Sequence, residues 1–122
     1  MTALTTPREG IPRVLSTPAD FTAAASALAS GQGPLAIDTE RASGFRYDDR
    51  AFLVQIRRRG VGTFLLDPEG NRPQFTAALS PVLNGQDWIL HAAASDLPSL
   101  AWLVLYPGTL FDTELAGRLA GF

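Results

Sequence analysis

Cysteine and lysine are absent from this chain, and histidine and methionine occur once each. Without cysteine there is no disulfide framework, no thiolate metal site and no thiol nucleophile, so packing must hold the fold and any metal must take oxygen or imidazole ligands. Zinc ribbons and thiol enzymes are excluded. Long apolar runs are missing too: no stretch approaches the roughly 18 residues of a membrane-spanning helix, and the opening MTALTTPREGIPR lacks the basic start and apolar run of a secretory signal. The expected setting is the cytoplasm, away from membranes. An excess of positive charge is also lacking, with 10 basic against 12 acidic residues and a formal charge of -2. That argues against a protein holding nucleic acid by bulk positive field and leaves local recognition open. All the basic residues are arginines, whose planar forks suit phosphate, although genome composition is the simpler source of such a bias.

What is present is a chain of 122 residues, 46% of them apolar, a length that buries roughly two thirds of its unfolded surface and supports one core. Residues 1–13 are polar, are broken by Pro7, Gly10 and Pro12, and read as a frayed arm. Val14 and Leu15 suit a short edge strand. Ser16-Thr17-Pro18-Ala19-Asp20 supplies a capping hydroxyl, a first-turn proline and an acid before FTAAASALAS, which predicts a helix ending near Gly31 to Gly33. In PLAIDTE (34–40) Leu35, Ile37 and Thr39 face one way and Ala36, Asp38 and Glu40 the other, the alternation of a strand. Further strands are predicted over 51–58, where Phe52, Val54 and Ile56 share a face, and over 63–68. Short connections make these three an antiparallel meander. Phe75, Ala78, Leu79, Val82 and Leu83 recur at helical spacing and stop at Asn84-Gly85. A strand over 87–91, a helix from Ser95 to about Tyr106 with Pro98 in its first turn, a strand over 109–111 and a helix from Asp112 to Ala120 complete the pattern. The expected architecture is α/β: a mixed sheet of about five strands, meander first and parallel units second, with flanking helices.

Three acids stand out. Asp38 and Glu40, at i and i+2 on one strand, project from one face about 6.5–7 Å apart, within reach of one divalent cation or a pair of them. A solvated strand end would also carry such charge, but LAID reads as central, where adjacent like charges are costly without a cation or hydrogen bonds to offset them. Asp96, in HAAASDLPSL at the start of a helix, has the ordinary role of a cap. If its preceding strand neighbours the Asp38 strand, however, all three carboxylates converge where strand ends meet helix starts.

The run PLAIDTE, AFLVQIR, FLLDP, ILHAAASDLPSL and LFDTELAGRLAGF resembles the exonuclease domain of ribonuclease D, of the DEDD group (DEDDy type) of 3′-5′ exonucleases with a ribonuclease-H-like fold. The resemblance extends from about residue 14 onward. It implies that Asp38 and Glu40 form the Asp-x-Glu motif and that Asp96 is the second-motif aspartate, the three catalytic acids also ligating two Mg²⁺ or Mn²⁺ ions. It further implies hydrolysis at the 3′ end of single-stranded RNA such as a tRNA precursor, with DNA an alternative substrate. The third motif of the family, Tyr-x-x-x-Asp, is not found: Tyr47 and Tyr106 are followed four residues later by Ala51 and Leu110. The expectation is therefore an N-terminal portion of the exonuclease domain over 14–122, with chemistry impaired for want of that motif. The alternative is a non-catalytic nucleic-acid-binding or interaction module on the same fold.

Thr39, Arg41, Phe45, Arg46, Tyr47 and His91 complete the candidate site as nucleic-acid contacts. Guanidinium groups and aromatic rings in the loop after the Asp-x-Glu strand suit a single-stranded end gripped by phosphate contact and stacking. Asp112 reads as a helix cap, His91 as a structural histidine close to the site, Arg57, Arg58 and Arg59 as solvated, and Trp88 and Trp102 as core. Leu115, Leu119 and Phe122 are expected to form an exposed apolar patch. Nothing in the sequence identifies a protein partner.

Overall fold

The computed structural model of the chain describes residues 13–41, 52–91 and 93–113, the side chains of Arg41, Phe52 and residues 93–95 excepted. The N-terminal arm, the loop bearing Phe45, Arg46 and Tyr47, and the apolar patch expected at Leu115, Leu119 and Phe122 lie outside the described residues. The elements run β1 (Val14–Leu15), α1 (Pro18–Ala29), β2 (Leu35–Arg41), β3 (Phe52–Arg58), β4 (Gly62–Leu66), α2 (Arg72–Leu83), β5 (Asp87–Leu90), α3 (Ala93–Trp102) and β6 (Thr109–Asp112). The sheet has six strands in the order β1-β4-β3-β2-β5-β6, one more than the expected five because Val14 and Leu15 pair with β4. Pairing is antiparallel within β2-β3-β4 and parallel at β1-β4, β2-β5 and β5-β6, so the meander and the parallel units are both present.

One sheet face carries the core. Alternation along the strands aims Leu35, Ile37, Val54, Ile56, Leu66, Trp88 and Leu90 at the helices, where Phe21, Ala24, Ala25 and Leu28 of α1, Phe75, Leu79 and Leu83 of α2, and Leu100 of α3 close over them. The Phe21 and Phe75 rings meet edge to face, centroids 5.2 Å apart and planes at 83°. Such a pair adds about 0.5–1.5 kcal/mol to its area burial. On the opposite face Asp38, Glu40 and Arg57 are exposed, and Ala36, Gln55 and Ile89 are half-buried.

Helix α1 starts as its sequence demands. Thr17 accepts from the Asp20 amide at 3.1 Å, and the Asp20 carboxylate accepts from the Thr17 and Ser16 amides at 3.4 and 3.3 Å. It ends at Ala29, just before the expected glycines, and the side chain that covers this end comes from β3. Arg58, expected in solvent, is 9% exposed: its Nε donates to the Gly33 carbonyl and its Nη1 to the Leu28 carbonyl, both at 2.9 Å. The cause is register, for Arg58 pairs with Leu35 and therefore faces the helices, where it meets the Leu28 carbonyl in the last turn of α1, the Gly33 carbonyl beyond it and the negative end of a helix dipole. Gly31 makes room for it; a Cβ there would stand 2.9 Å from Arg58 Cδ and 2.5 Å from Val61 Cγ2.

Helix α3 also departs from expectation, ending at Trp102 rather than near Tyr106. Leu103 and Val104 turn out of it, Val104 with φ of 60°, and Leu103 and Leu105 fill the core. Asn84, just past α2, clamps this exit by donating to the Val104 carbonyl and accepting from the Tyr106 amide, both at 2.9 Å. Trp102 is consequently 55% exposed, not core, whereas Trp88 is buried with its indole N–H on the Leu83 carbonyl at 2.8 Å. Among the described residues no helix is long and apolar enough to cross a membrane.

Candidate active site

Strand β2 pairs with β3 along all of its seven residues but with β5 only at Leu35 and Ala36. From Ile37 onward its other edge has no strand partner among the described residues. The chain leaves β5 at Leu90 and enters α3 beside that edge, which is how a sheet carries side chains from a strand end and a helix start into one place.

Asp96 lies in the first turn of α3 and is 6% exposed. Thr39, on the helix-bearing face of β2, donates its hydroxyl to Asp96 Oδ1 at 2.8 Å. Asp96 Oδ2 is buried and accepts no hydrogen bond. Burial raises the Asp96 pKa above 3.8; the Thr39 hydrogen bond opposes the rise, while the close Asp38 carboxylate and the charge of Asp112 add to it. Asp38 from the middle of β2 and Asp112 from the end of β6 thus both bear on Asp96 at the head of α3. An orphaned oxygen in a buried carboxylate costs about 1–3 kcal/mol.

The donors are hard carboxylate oxygens, the class that Mg²⁺ and Mn²⁺ prefer, and a cation between Asp38 and Asp96 would satisfy the orphaned oxygen and cancel the repulsion. The two acids fit such an ion. They do not form a closed ligand set with Glu40: among the described residues no three His, Asp or Glu side chains gather into a cation-holding group. Glu40 stands exposed on the Asp38 face of β2, two residues further along.

Thr39, expected at nucleic acid, spends its hydroxyl on Asp96. His91 is exposed beside the site, with Nδ1 3.0 Å from the Thr113 hydroxyl, which itself reaches the Leu90 carbonyl at 3.3 Å. His91 and Asp38 line one shallow cavity of about 230 Å³ on the open sheet face, together with Gln55, Arg57 and Thr113. Arg41 pairs with Phe52 through its backbone at the end of β2. Asp112, read from the sequence as a helix cap, is the last residue of β6 and bears on Asp96. The expected strand stopped at 111, one residue short of it, and its effect on Asp96 depends on β6 lying next to β5.

A family model described as 3′-5′ exonuclease matches residues 12–122. The crystal structure of a protein from Bifidobacterium adolescentis is similar with a TM-score of 0.75 and 43% sequence identity, covering 94% of this chain and 28% of that one. The chain thus spans less than a third of the length of that relative. No curated protein sequence matches it.

Proposed function

Since the chain belongs to the 3′-5′ exonuclease family, we propose that it is a metal-dependent exoribonuclease domain of the ribonuclease D type, acting on single-stranded RNA 3′ ends such as those of tRNA precursors. The observation that carries this reading is the buried Asp96 carboxylate, with one oxygen orphaned beside Asp38. A folded chain tolerates that arrangement where a ligand offsets it. Asp38 and Asp96 would hold the metal, and Glu40, exposed two residues further along the strand and outside any preformed three-acid group among the described residues, would join them from the side of the terminal nucleotide. Two bound Mg²⁺ or Mn²⁺ ions would supply an activated water and charge stabilisation for the leaving 3′ oxygen. Water attacks the terminal phosphodiester, the bond from phosphorus to the 3′ oxygen breaks, and a nucleoside 5′-monophosphate leaves a strand with a new 3′-hydroxyl. Arg41, Phe45, Arg46 and Tyr47 grip the strand through phosphate contact and stacking.

No Tyr-x-x-x-Asp occurs in the 122 residues, and hydrolysis by these residues alone is accordingly weak. The same feature, with no three-acid group among the described residues, favours a second reading, a module that binds 3′ ends without cutting them. Incubating the chain with 5′-labelled single-stranded RNA and Mn²⁺ separates the two. The enzyme shortens the label one nucleotide at a time from the 3′ end, stops on chelation, and is silenced by Asp38→Ala; the binding module retards the RNA and leaves its length unchanged. Shortening that survives Asp38→Ala would refute the metal assignment, and parallel reactions with single-stranded DNA define the sugar preference.

A further inference from the structure

We propose that Thr39 is a positioning residue: its hydroxyl occupies one oxygen of Asp96 and thereby holds the other free, beside Asp38, for a divalent cation. The inference rests on the reading of Asp38 and Asp96 as the metal-holding pair.

Thr39 is chemically out of place on its face of β2. Leu35 and Ile37 precede it on that face and are buried, and Val54, its partner across β3, is fully buried. A valine or isoleucine at this position would continue the core. The hydroxyl is directed to one acceptor, Asp96 Oδ1, at 2.8 Å. That contact joins residues 57 positions apart in the chain, so it fixes α3 relative to β2 at the point where β5 no longer pairs with β2. Among the described residues, the hydrogen bond that the Asp96 carboxylate accepts comes from Thr39. An aspartate in a first turn commonly accepts from the backbone amides of that turn, yet Oδ1 takes the threonine hydroxyl and Oδ2 takes nothing. A carboxylate held by one oxygen has its torsion set and presents the second oxygen in a defined direction. Hydrogen bonds that orient metal-binding side chains in this way are worth about 10- to 100-fold in metal affinity. Asp38, next along the strand, projects to the opposite side of β2, and Asp96 is close to both residues. The pair of acids therefore straddles β2 just past its pairing with β5, an arrangement that depends on Asp96 keeping one rotamer.

The test is Mn²⁺ binding to the folded chain, measured by the electron paramagnetic resonance of free Mn²⁺, with thermal melting in chelator as a separate readout. Thr39→Val keeps the shape and removes the hydroxyl, so the Mn²⁺ dissociation constant should rise by about tenfold or more, while Thr39→Ser stays within about twofold of the parent. If Thr39→Val does not fold, Thr39→Ala carries the same expectation. A purely structural threonine would lower the melting temperature in chelator and leave Mn²⁺ affinity unchanged, and that result would overturn the proposal. Parent protein that binds no Mn²⁺, or binding that persists in Asp38→Ala, would overturn the metal reading and this inference with it. Binding lost in Asp38→Ala but intact in Thr39→Val would overturn the role of Thr39 alone.

Discussion

Replacing Asp96 by asparagine should make the metal-free chain more stable and the metal-loaded chain less so. The asparagine side chain keeps an oxygen to accept from Thr39, replaces the orphaned Oδ2 with an N–H₂ donor, and removes a charge that Asp38 and Asp112 repel. Relief of one unsatisfied buried oxygen is worth about 1–3 kcal/mol, so a gain near 2 kcal/mol is expected. For a chain of this length that corresponds to about 8 °C in melting temperature. The pH dependence has a definite sign. The folded-state pKa of Asp96 lies above the unfolded value of 3.8, so its contribution to stability is fully present below pH 3.8 and is lost as pH rises through the folded pKa. The advantage of Asp96→Asn therefore exists at neutral pH and vanishes on acidification. In Mn²⁺ the order reverses, because a ligand at about 100 times its dissociation constant stabilises the parent by about 2.7 kcal/mol and the variant gains little. Melting followed by circular dichroism in chelator and in Mn²⁺, from about pH 3 to pH 7, checks each part. A variant that melts below the parent in chelator at neutral pH would show that the Asp96 charge serves the fold, and the reasoning about an orphaned oxygen would fail.

Other expectations concern the scaffold. Arg58→Ala removes two charged hydrogen bonds to backbone carbonyls and leaves the Gly33 carbonyl without its donor, so urea titration should show a loss of about 3 kcal/mol; a loss under about 1 kcal/mol would make Arg58 a surface residue in energetic terms. Gly31→Ala drives a methyl group into Val61 and the Arg58 stem and should cost about 1–3 kcal/mol by overpacking. Thr17→Ala should cost about 1 kcal/mol through the lost cap. Slight burial raises the Asp20 pKa, but the Thr17 and Ser16 hydrogen bonds and the Arg13 charge outweigh it and hold that pKa below 3.8. The Asp20 contribution is therefore present above pH 3.8 and lost as pH falls through the folded pKa, so Asp20→Asn should narrow the gap between parent and variant below pH 3.8 and show its full cost at neutral pH.

Local chemistry was enough to read much of this protein from its residues. The alternation in PLAIDTE put Asp38 and Glu40 on one face and Thr39 on the other because strand geometry alone dictates it. Thr17, Pro18 and Asp20 announced the start of α1 for an equally local reason, since capping partners lie within three residues of one another. The Asp-x-Glu pattern and the aspartate of HAAASDLPSL drew attention to Asp38 and Asp96, which the fold brings close, and to Glu40, which it leaves exposed two residues further along β2. What depends on contacts between distant segments was not legible. Burial of Arg58 needs its register against Leu35 and the nearby end of α1. The early end of α3 and the exposure of Trp102 need Asn84, which reaches across from the end of α2. The influence of Asp112 on Asp96 needs the order β2-β5-β6, and the hydrogen bond from Thr39 to Asp96 needs β2 to outrun its pairing with β5. Which groups are present, and which way each strand or helix presents them, follows from the order of residues alone, because short-range sterics set those directions. Which of those groups meet is a matter of the folded chain, because burial and pairing are settled by partners far apart in sequence.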